Sequence, residues 1–182
     1  MKQPAASRIL LVLIAAAAIL TMSACGSRPD NTQGGSSDQV QTPPEPVPVV
    51  EKKSETIKVY YTDEQMTELQ EQQADIQYAD TKEKIENAYK ALQQDGKDGG
   101  LSLWKHIDLL SAKVENGAVT LDIHINDEAR LGGPGEQMAV DAVQKTMFQF
   151  EDVTSLDILV DGEKEESLMG HVELDHPIMK QQ

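Results

Sequence analysis

The stretch Leu109–Asn126, LLSAKVENGAVTLDIHIN, predicts two strands joined by a tight turn. Asn116–Gly117 favours a type I′ turn, which connects antiparallel strands through two residues. In its second half, apolar residues alternate with Thr120, Asp122 and the exposed polar residue His124. The apolar positions are Val119, Leu121, Ile123 and Ile125. Because neighbouring side chains of a strand point to opposite faces, one face of this hairpin must be buried against another layer.

Two segments that flank this hairpin have helical periodicity. Asp80–Gly96 begins with Asp80 and Glu83 at capping-box spacing, and Leu131–Phe150 carries Pro134 where a first helical turn would begin. Each segment presents one apolar stripe, which predicts a helix with one buried face. The stripes consist of Ile85, Ala88, Tyr89 and Leu92 in the first segment and of Met138, Ala142, Val143, Met147 and Phe150 in the second.

The remaining apolar segments predict further strands. Thr56–Thr62, TIKVYYT, is rich in β-branched and aromatic residues, and Ser155–Gly162, SLDILVDG, closes with an Asp-Gly turn. Asp63–Ala79 is polar and allows a weak hairpin or an irregular edge. The order strand, helix, two strands, helix, strand predicts an α+β fold in which two helices pack on one face of a mostly antiparallel sheet.

The N-terminus has the features of a secretory signal peptide. Lys2 and Arg8 precede the apolar run Ile9–Leu20, and the small residues Ser23 and Ala24 follow it. A membrane-spanning helix needs about 20 apolar residues, which is longer than this run. Residues 1–24 are therefore predicted to direct the chain out of the cytoplasm.

Cys25 is the single cysteine of the chain, so it cannot form an intramolecular disulfide. Met22–Cys25, MSAC, resembles the lipobox of bacterial lipoproteins. The resemblance implies that Cys25 is lipidated with acyl chains such as palmitate and becomes the first residue of the mature protein. Acyl chains buried in a bilayer at about 0.8 kcal/mol per methylene would hold it on the extracytoplasmic face of the cell membrane.

Residues 25–54 follow as a predicted disordered tether. They are rich in Gly, Ser, Pro and charge, and they cannot bury enough apolar surface to offset the entropy of ordering. Residues 55–182 then form one domain. The formal charge of the chain is −15, from 31 acidic and 16 basic residues, which makes nucleic acid an unsuitable partner because phosphate is repelled.

Three segments together resemble the GerMN domain of sporulation and spore germination proteins: LGGPGEQM before a helix that ends in TMFQF, VTSLDILVDGE, and LMGHVELDHPI. The resemblance covers residues 57–178. It implies a non-enzymatic α+β domain similar to the ring-building modules of secretion and sporulation machines. It also implies a secreted or lipid-anchored protein of a Gram-positive, often spore-forming, bacterium.

The sequence contains no recognisable catalytic set. It has no Ser in a G-x-S-x-G turn, and the loop Gly132–Gly135 matches neither a dinucleotide-binding nor a P-loop pattern. No cofactor and no metal site are predicted. The segment GHVELDH contains one candidate cation cluster, which consists of His171, Glu173, Asp175 and His176. In a strand, the side chains of the first three of these residues would lie on the same face.

These features leave three functional hypotheses. The first is an envelope interaction module for sporulation, germination or other cell-envelope processes, which binds a protein partner or forms a homo-oligomer through its sheet edges or exposed sheet face. The second is a lipoprotein that binds a small ligand or a cation. The third is an accessory protein of a peptidoglycan-remodelling complex.

Overall fold

A computed structural model describes residues 51–181. The predicted signal peptide, the lipidation site Cys25 and most of the predicted tether lie outside these residues. The described part of the chain contains two α-helices and six strands. In chain order these elements are β1 (Lys53–Thr62), β2 (Leu69–Tyr78), α1 (Thr81–Leu92), β3 (Ile107–Glu115), β4 (Ala118–Ile125), α2 (Gly133–Phe148), β5 (Ser155–Val160) and β6 (Ile178–Met179).

The α+β class is confirmed, but the prediction of a single sheet is wrong. Strands β1 and β2 form an antiparallel pair, and a second sheet has the order β3-β4-β5-β6. One side-chain amide satisfies backbone groups of β1 where a further strand would pair. Gln149 accepts from the Lys58 N–H at 2.7 Å and donates to the Lys58 carbonyl at 2.8 Å. On β2, the Gln72 side chain bonds the N–H and carbonyl of Lys97, in the loop after α1, at 2.7 and 2.8 Å.

The helices also differ from the predicted arrangement on one face of one sheet. Helix α1 contacts β1, β2 and β3, and α2 contacts β1 and β5, so each helix contacts strands of both sheets. Helix α2 also connects β4 to β5, and those two strands are parallel. This connection follows from geometry, because parallel neighbours require a crossover that spans the length of the sheet.

The predicted hairpin is confirmed as β3 and β4. Asn116 and Gly117 have φ values of 50° and 84°, the left-handed pair that a type I′ turn needs. A Cβ at Gly117 would lie 2.8 Å from the carbonyl oxygen of Asp152, so a side chain has no room at this position. The register slips between Leu109 and Ser111, and the extra residue Leu110 is 53% exposed.

The predicted helix starts are confirmed too. Asp80 Oδ1 accepts from the Glu83 N–H at 2.8 Å and caps α1, while Pro134 lies in the first turn of α2. The apolar stripes of both helices pack into a mostly aliphatic core around Trp104, which is fully buried. None of the helices in residues 51–181 is long and apolar enough to cross a bilayer.

Candidate functional site

A long irregular segment, Glu163–Pro177, follows β5 and is named the strap. A fully buried carboxylate, that of Glu136 in the first turn of α2, holds its centre. Glu136 Oε1 accepts from the Met169 N–H at 2.9 Å. Glu136 Oε2 accepts from the His171 N–H at 3.0 Å and contacts His171 Nδ1 at 2.8 Å. One acidic side chain therefore replaces the backbone partners that a regular strand would have supplied.

Two opposing effects act on the pKa of Glu136. Burial raises the pKa, but hydrogen bonds from the Met169 N–H, the His171 ring and the backbone of Val172 and His171 outweigh it, so the pKa is lowered overall. The carboxylate is therefore ionised at neutral pH. Because the carboxylate is an acceptor, it favours the His171 tautomer whose proton is on Nδ1. In that tautomer Nε2 carries no proton.

A second contact holds the C-terminal end of the strap to β5. His176 Nδ1 lies 2.6 Å from Asp157 Oδ1, and His176 Nε2 lies 2.7 Å from the Glu165 carbonyl oxygen. Both partners are acceptors, and a neutral imidazole carries only one N–H. The His176 ring must therefore be protonated to make both hydrogen bonds at once. Lys164 also bonds Asp157, at 2.9 Å.

The pKa values agree with this geometry. The Glu165 carbonyl, followed by the Asp157 carboxylate, raises the pKa of His176 above its ordinary value of 6.5, against the opposing effects of burial and of the Lys164 charge. Burial would raise the pKa of Asp157, but hydrogen bonds from His176 and Lys164 lower it overall. Both shifts favour the ionic form of the pair.

This pair predicts a pH dependence of stability. Because the folded pKa of His176 is raised, its contribution is complete below the unfolded pKa of about 6.5 and is lost as pH rises through the folded value. Urea unfolding is therefore expected to show stability that declines as pH rises above about 6.5 and levels off once pH has passed the folded pKa of His176. His176→Gln should flatten this decline, whereas His124→Gln, at an exposed histidine, should retain it. Equal slopes for wild type and His176→Gln would contradict the prediction.

The structure does not bring the candidate cation cluster together. Residues 171–175 are not a strand, so His171, Glu173 and Asp175 do not share a strand face. His171 turns to Glu136, and His176 turns to Asp157. In residues 51–181, no group of three or more His, Cys, Asp or Glu side chains is placed to hold a metal ion.

Two other features of this region are an open cleft beside the strap and the exposed histidine of β4. The strap borders an open cleft of about 550 Å³, whose lining includes Lys164, His171 and Glu173. His124 is exposed on the outer face of β4, as predicted, and its Nδ1 lies 2.8 Å from Asp161 Oδ1. The cleft is polar and mixed in charge, and it does not assemble a nucleophile with a general base.

The open edge of the larger sheet is the second candidate surface. Strand β3 ends the strand order of that sheet, so its outer edge pairs with no strand in the described part of the chain. Side chains of α1 and of the residue that follows it lie beside this edge. Tyr89 Oη and Gln93 Nε2 donate to the Ile107 carbonyl at 3.0 and 2.8 Å, and Glu86, Lys90 and Gln93 line an open pocket with residues 108–111. Beyond Ile107 the edge passes the exposed Leu110.

Sequence reasoning missed Glu136 as a functional anchor, although a signal was present. Glu136 lies three and four residues before Ala139 and Val140 and seven before Val143, so it occupies the buried side of α2. A lone acid on a buried helix face requires hydrogen-bond donors from elsewhere in the chain. The sequence could therefore identify Glu136 as an anchor, but not the segment that it holds.

The fold and these surfaces define a small α+β domain with a carboxylate-anchored strap and an open sheet edge. The chain belongs to the Germane family, described as sporulation and spore germination, whose pattern matches residues 58–166, more than half of the chain. This membership confirms the family predicted from the sequence. No curated protein sequence matches the chain.

Solved structures that are similar to this chain include GerMN domains. The first GerMN domain of the sporulation protein GerM from Bacillus subtilis is 15% identical, with 69% of this chain and 97% of that chain covered and a TM-score of 0.53. The tandem GerMN domains of GerM are 17% identical over 70% of this chain and 46% of that chain, with a TM-score of 0.46. A candidate lipoprotein from Clostridium perfringens is 22% identical over 70% and 88%, with a TM-score of 0.49.

Proposed function

We propose that this protein is a lipid-anchored extracytoplasmic lipoprotein whose GerMN domain is a non-enzymatic interaction and assembly module. Cys25 attaches it to the outer face of the cell membrane, and residues 25–54 tether the domain. The protein acts in sporulation, germination or another process of the cell envelope. Family membership supports the process, while the MSAC motif after an apolar run supports the anchor.

The observation that carries the interaction role is the open outer edge of β3. A strand edge presents backbone N–H and carbonyl groups that can pair with another strand, and many recognition modules bind partners in this way. Soluble domains usually blunt such edges with charge or irregularity. The β3 edge carries one such irregularity, the bulge at Leu110, but the strand still pairs on one side only within residues 51–181, and the Leu110 side chain is 53% exposed there.

Site-specific photocrosslinking in intact cells tests this role. A photoreactive amino acid at Leu110 is expected to give a discrete crosslinked product, whereas the same amino acid at the exposed Gln137 of α2 should give little. In a matched chain, a cleavable secretion signal replaces residues 1–24 and Ser replaces Cys25. This chain should leave the membrane fraction, and its Leu110 product should weaken because membrane confinement no longer concentrates the domain.

Two outcomes would count against the proposal. Equal products at Leu110 and Gln137 would remove the role of the β3 edge. Retention of the Cys25→Ser chain on membranes after complete cleavage of its signal would remove the lipid anchor.

A further inference from the structure

The hydrogen-bonding pattern of β3 determines which backbone groups are open. In a two-residue hairpin, the residues that flank the turn form a hydrogen-bonded pair, which in this hairpin consists of Glu115 and Ala118. Alternation then turns the N–H and carbonyl groups of Val114, Ala112 and, across the bulge, Leu109 towards the outer edge. The carbonyl of Ile107 agrees with this pattern, because its hydrogen bonds go to the side chains of Tyr89 and Gln93.

The bulge also determines which side chains share a face. Asp108 and Lys113 are five residues apart, and in a regular strand they would lie on opposite faces. The extra residue in the bulge places Asp108 opposite His124 and Lys113 opposite Thr120, two positions on the same face of β4. Asp108 and Lys113 therefore lie on the outer face of β3, with Ser111 midway between them along the ladder.

We propose that the outer edge of β3 pairs antiparallel with the β3 edge of a second copy of this chain, about a two-fold axis at Ser111. In this register Asp108 of each copy lies opposite Lys113 of the other, so an opposite-charge pair forms twice. Within its own chain Asp108 accepts from Asn126 Nδ2 at 2.9 Å, and Lys113 lies 3.1 Å from Glu115. Both charged side chains stay at the surface, where they can reach across the axis.

The same register matches the open backbone groups. Leu109 lies opposite Ala112 of the second copy, and these are the residues whose N–H and carbonyl groups point outward, so four inter-copy hydrogen bonds can form by symmetry. Leu110 of each copy flanks the axis, where its exposed side chain loses contact with water. A register shifted by one position would oppose inward-pointing groups and forfeit these bonds.

The inference rests on the proposed assembly function and names its partner. The chain carries a net charge of −15, which opposes close approach of two copies in dilute solution. Anchoring two copies in one membrane raises their effective concentration and offsets this repulsion. The pairing is therefore expected in the membrane-bound chain and to be weak in a released one.

Cysteine crosslinking on the full-length chain in native membranes tests the register. Two Ser111 residues at the axis would form a non-hydrogen-bonded pair with a Cα separation of about 4.5 Å, which lies within the range for a disulfide. Ser111→Cys should therefore give a disulfide-linked dimer after mild oxidation with copper phenanthroline. Glu115→Cys is the matched control, because its two copies would lie about 27 Å apart. The wild-type chain, with Cys25 only, gives the background.

Charge-reversal variants provide a second test of the same register. Lys113→Asp and Asp108→Lys are each expected to reduce the Ser111→Cys dimer several-fold, and the double reversal should restore it. Equal dimer yields at positions 111 and 115, or no effect of either reversal, would overturn the pairing. If crosslinks from Leu110 contain a different protein and no dimer forms, this inference fails while the interaction role stands. If neither product forms, both fail.

Discussion

Replacing Glu136 with alanine is expected to lower the free energy of unfolding by about 2 to 6 kcal/mol, because two N–H groups in the strap lose their acceptor. The substitution leaves the N–H groups of Met169 and His171 without their acceptor. Each such group, if it stays buried, costs about 1 to 3 kcal/mol. The strap can avoid part of this cost by detaching and exposing its backbone to water, so we expect local release as well as lower global stability.

Urea unfolding and limited proteolysis would measure the two effects. Gln137→Ala, one residue further along α2 and exposed, should change the free energy of unfolding by less than about 0.5 kcal/mol. Glu136→Gln keeps one acceptor oxygen, so its loss should be intermediate. Cleavage within the strap should accelerate strongly for Glu136→Ala. An alanine variant as stable and protease-resistant as wild type would show that the carboxylate does not anchor the strap.

Release of the strap would affect the two candidate surfaces differently. The strap borders the cleft that contains His171 and Glu173, so its release would dismantle that cleft. The β3 edge lies at the opposite end of the strand order, with β4 and β5 between it and β6. Crosslinking at the β3 edge should therefore survive loss of the strap if the remaining sheet stays folded, which separates the two surfaces experimentally.

Local signals allowed prediction of the elements that have them. The β3–β4 hairpin carries alternation and a turn sequence, and α1 and α2 carry helix-start signals and apolar stripes at helical spacing. Each of these signals lies within one segment of the chain. The α+β class follows from these elements, because helices and strands that are each apolar on one side must pack against one another to bury those sides.

Strand β2 shows where local signals fail. Leu69–Tyr78, LQEQQADIQY, is mostly polar, and only Ile76 among its residues is fully buried. It forms a long strand because β1 pairs with it along its whole length, and β1 has the stronger strand sequence. On β1, backbone groups of Lys58 bond the Gln149 side chain, which lies 91 residues away in the sequence. No pattern within either segment could reveal that contact.

The strap is unpredictable for a related reason. Its hydrogen-bond partners lie outside its own sequence, since Glu136 is 33 residues before Met169 and Asp157 is 19 residues before His176. The sequence showed a histidine and acid cluster, which is also the composition of a cation site. The positions of two acceptors, Glu136 on α2 and Asp157 on β5, decide against the cation site, because each takes one of the two histidines.

Trp104 provides the second large expected effect. Its side chain is fully buried, its Nε1–H donates to the Ala139 carbonyl at 2.9 Å, and its ring meets Tyr89 edge-on with centroids 5.5 Å apart. Through these contacts it joins α2 to α1, and Tyr89 in turn bonds the Ile107 carbonyl at the start of β3. Trp104→Ala should lower the free energy of unfolding by about 3 to 5 kcal/mol, since the cavity is large.

Circular dichroism during urea unfolding would measure this loss, because the substitution removes the single tryptophan that fluorescence would follow. Trp104→Phe keeps an aromatic ring beside Tyr89 but loses the hydrogen bond and some volume, so its loss should be smaller. Leu110→Ala, on the open edge, should cost less than about 0.5 kcal/mol because the side chain is exposed. If Trp104→Ala were no worse than Leu110→Ala, the packing of α1 and α2 would not depend on Trp104. If it is much worse while Leu110→Ala abolishes dimer crosslinking, stability and assembly are separable properties of neighbouring parts of the same fold.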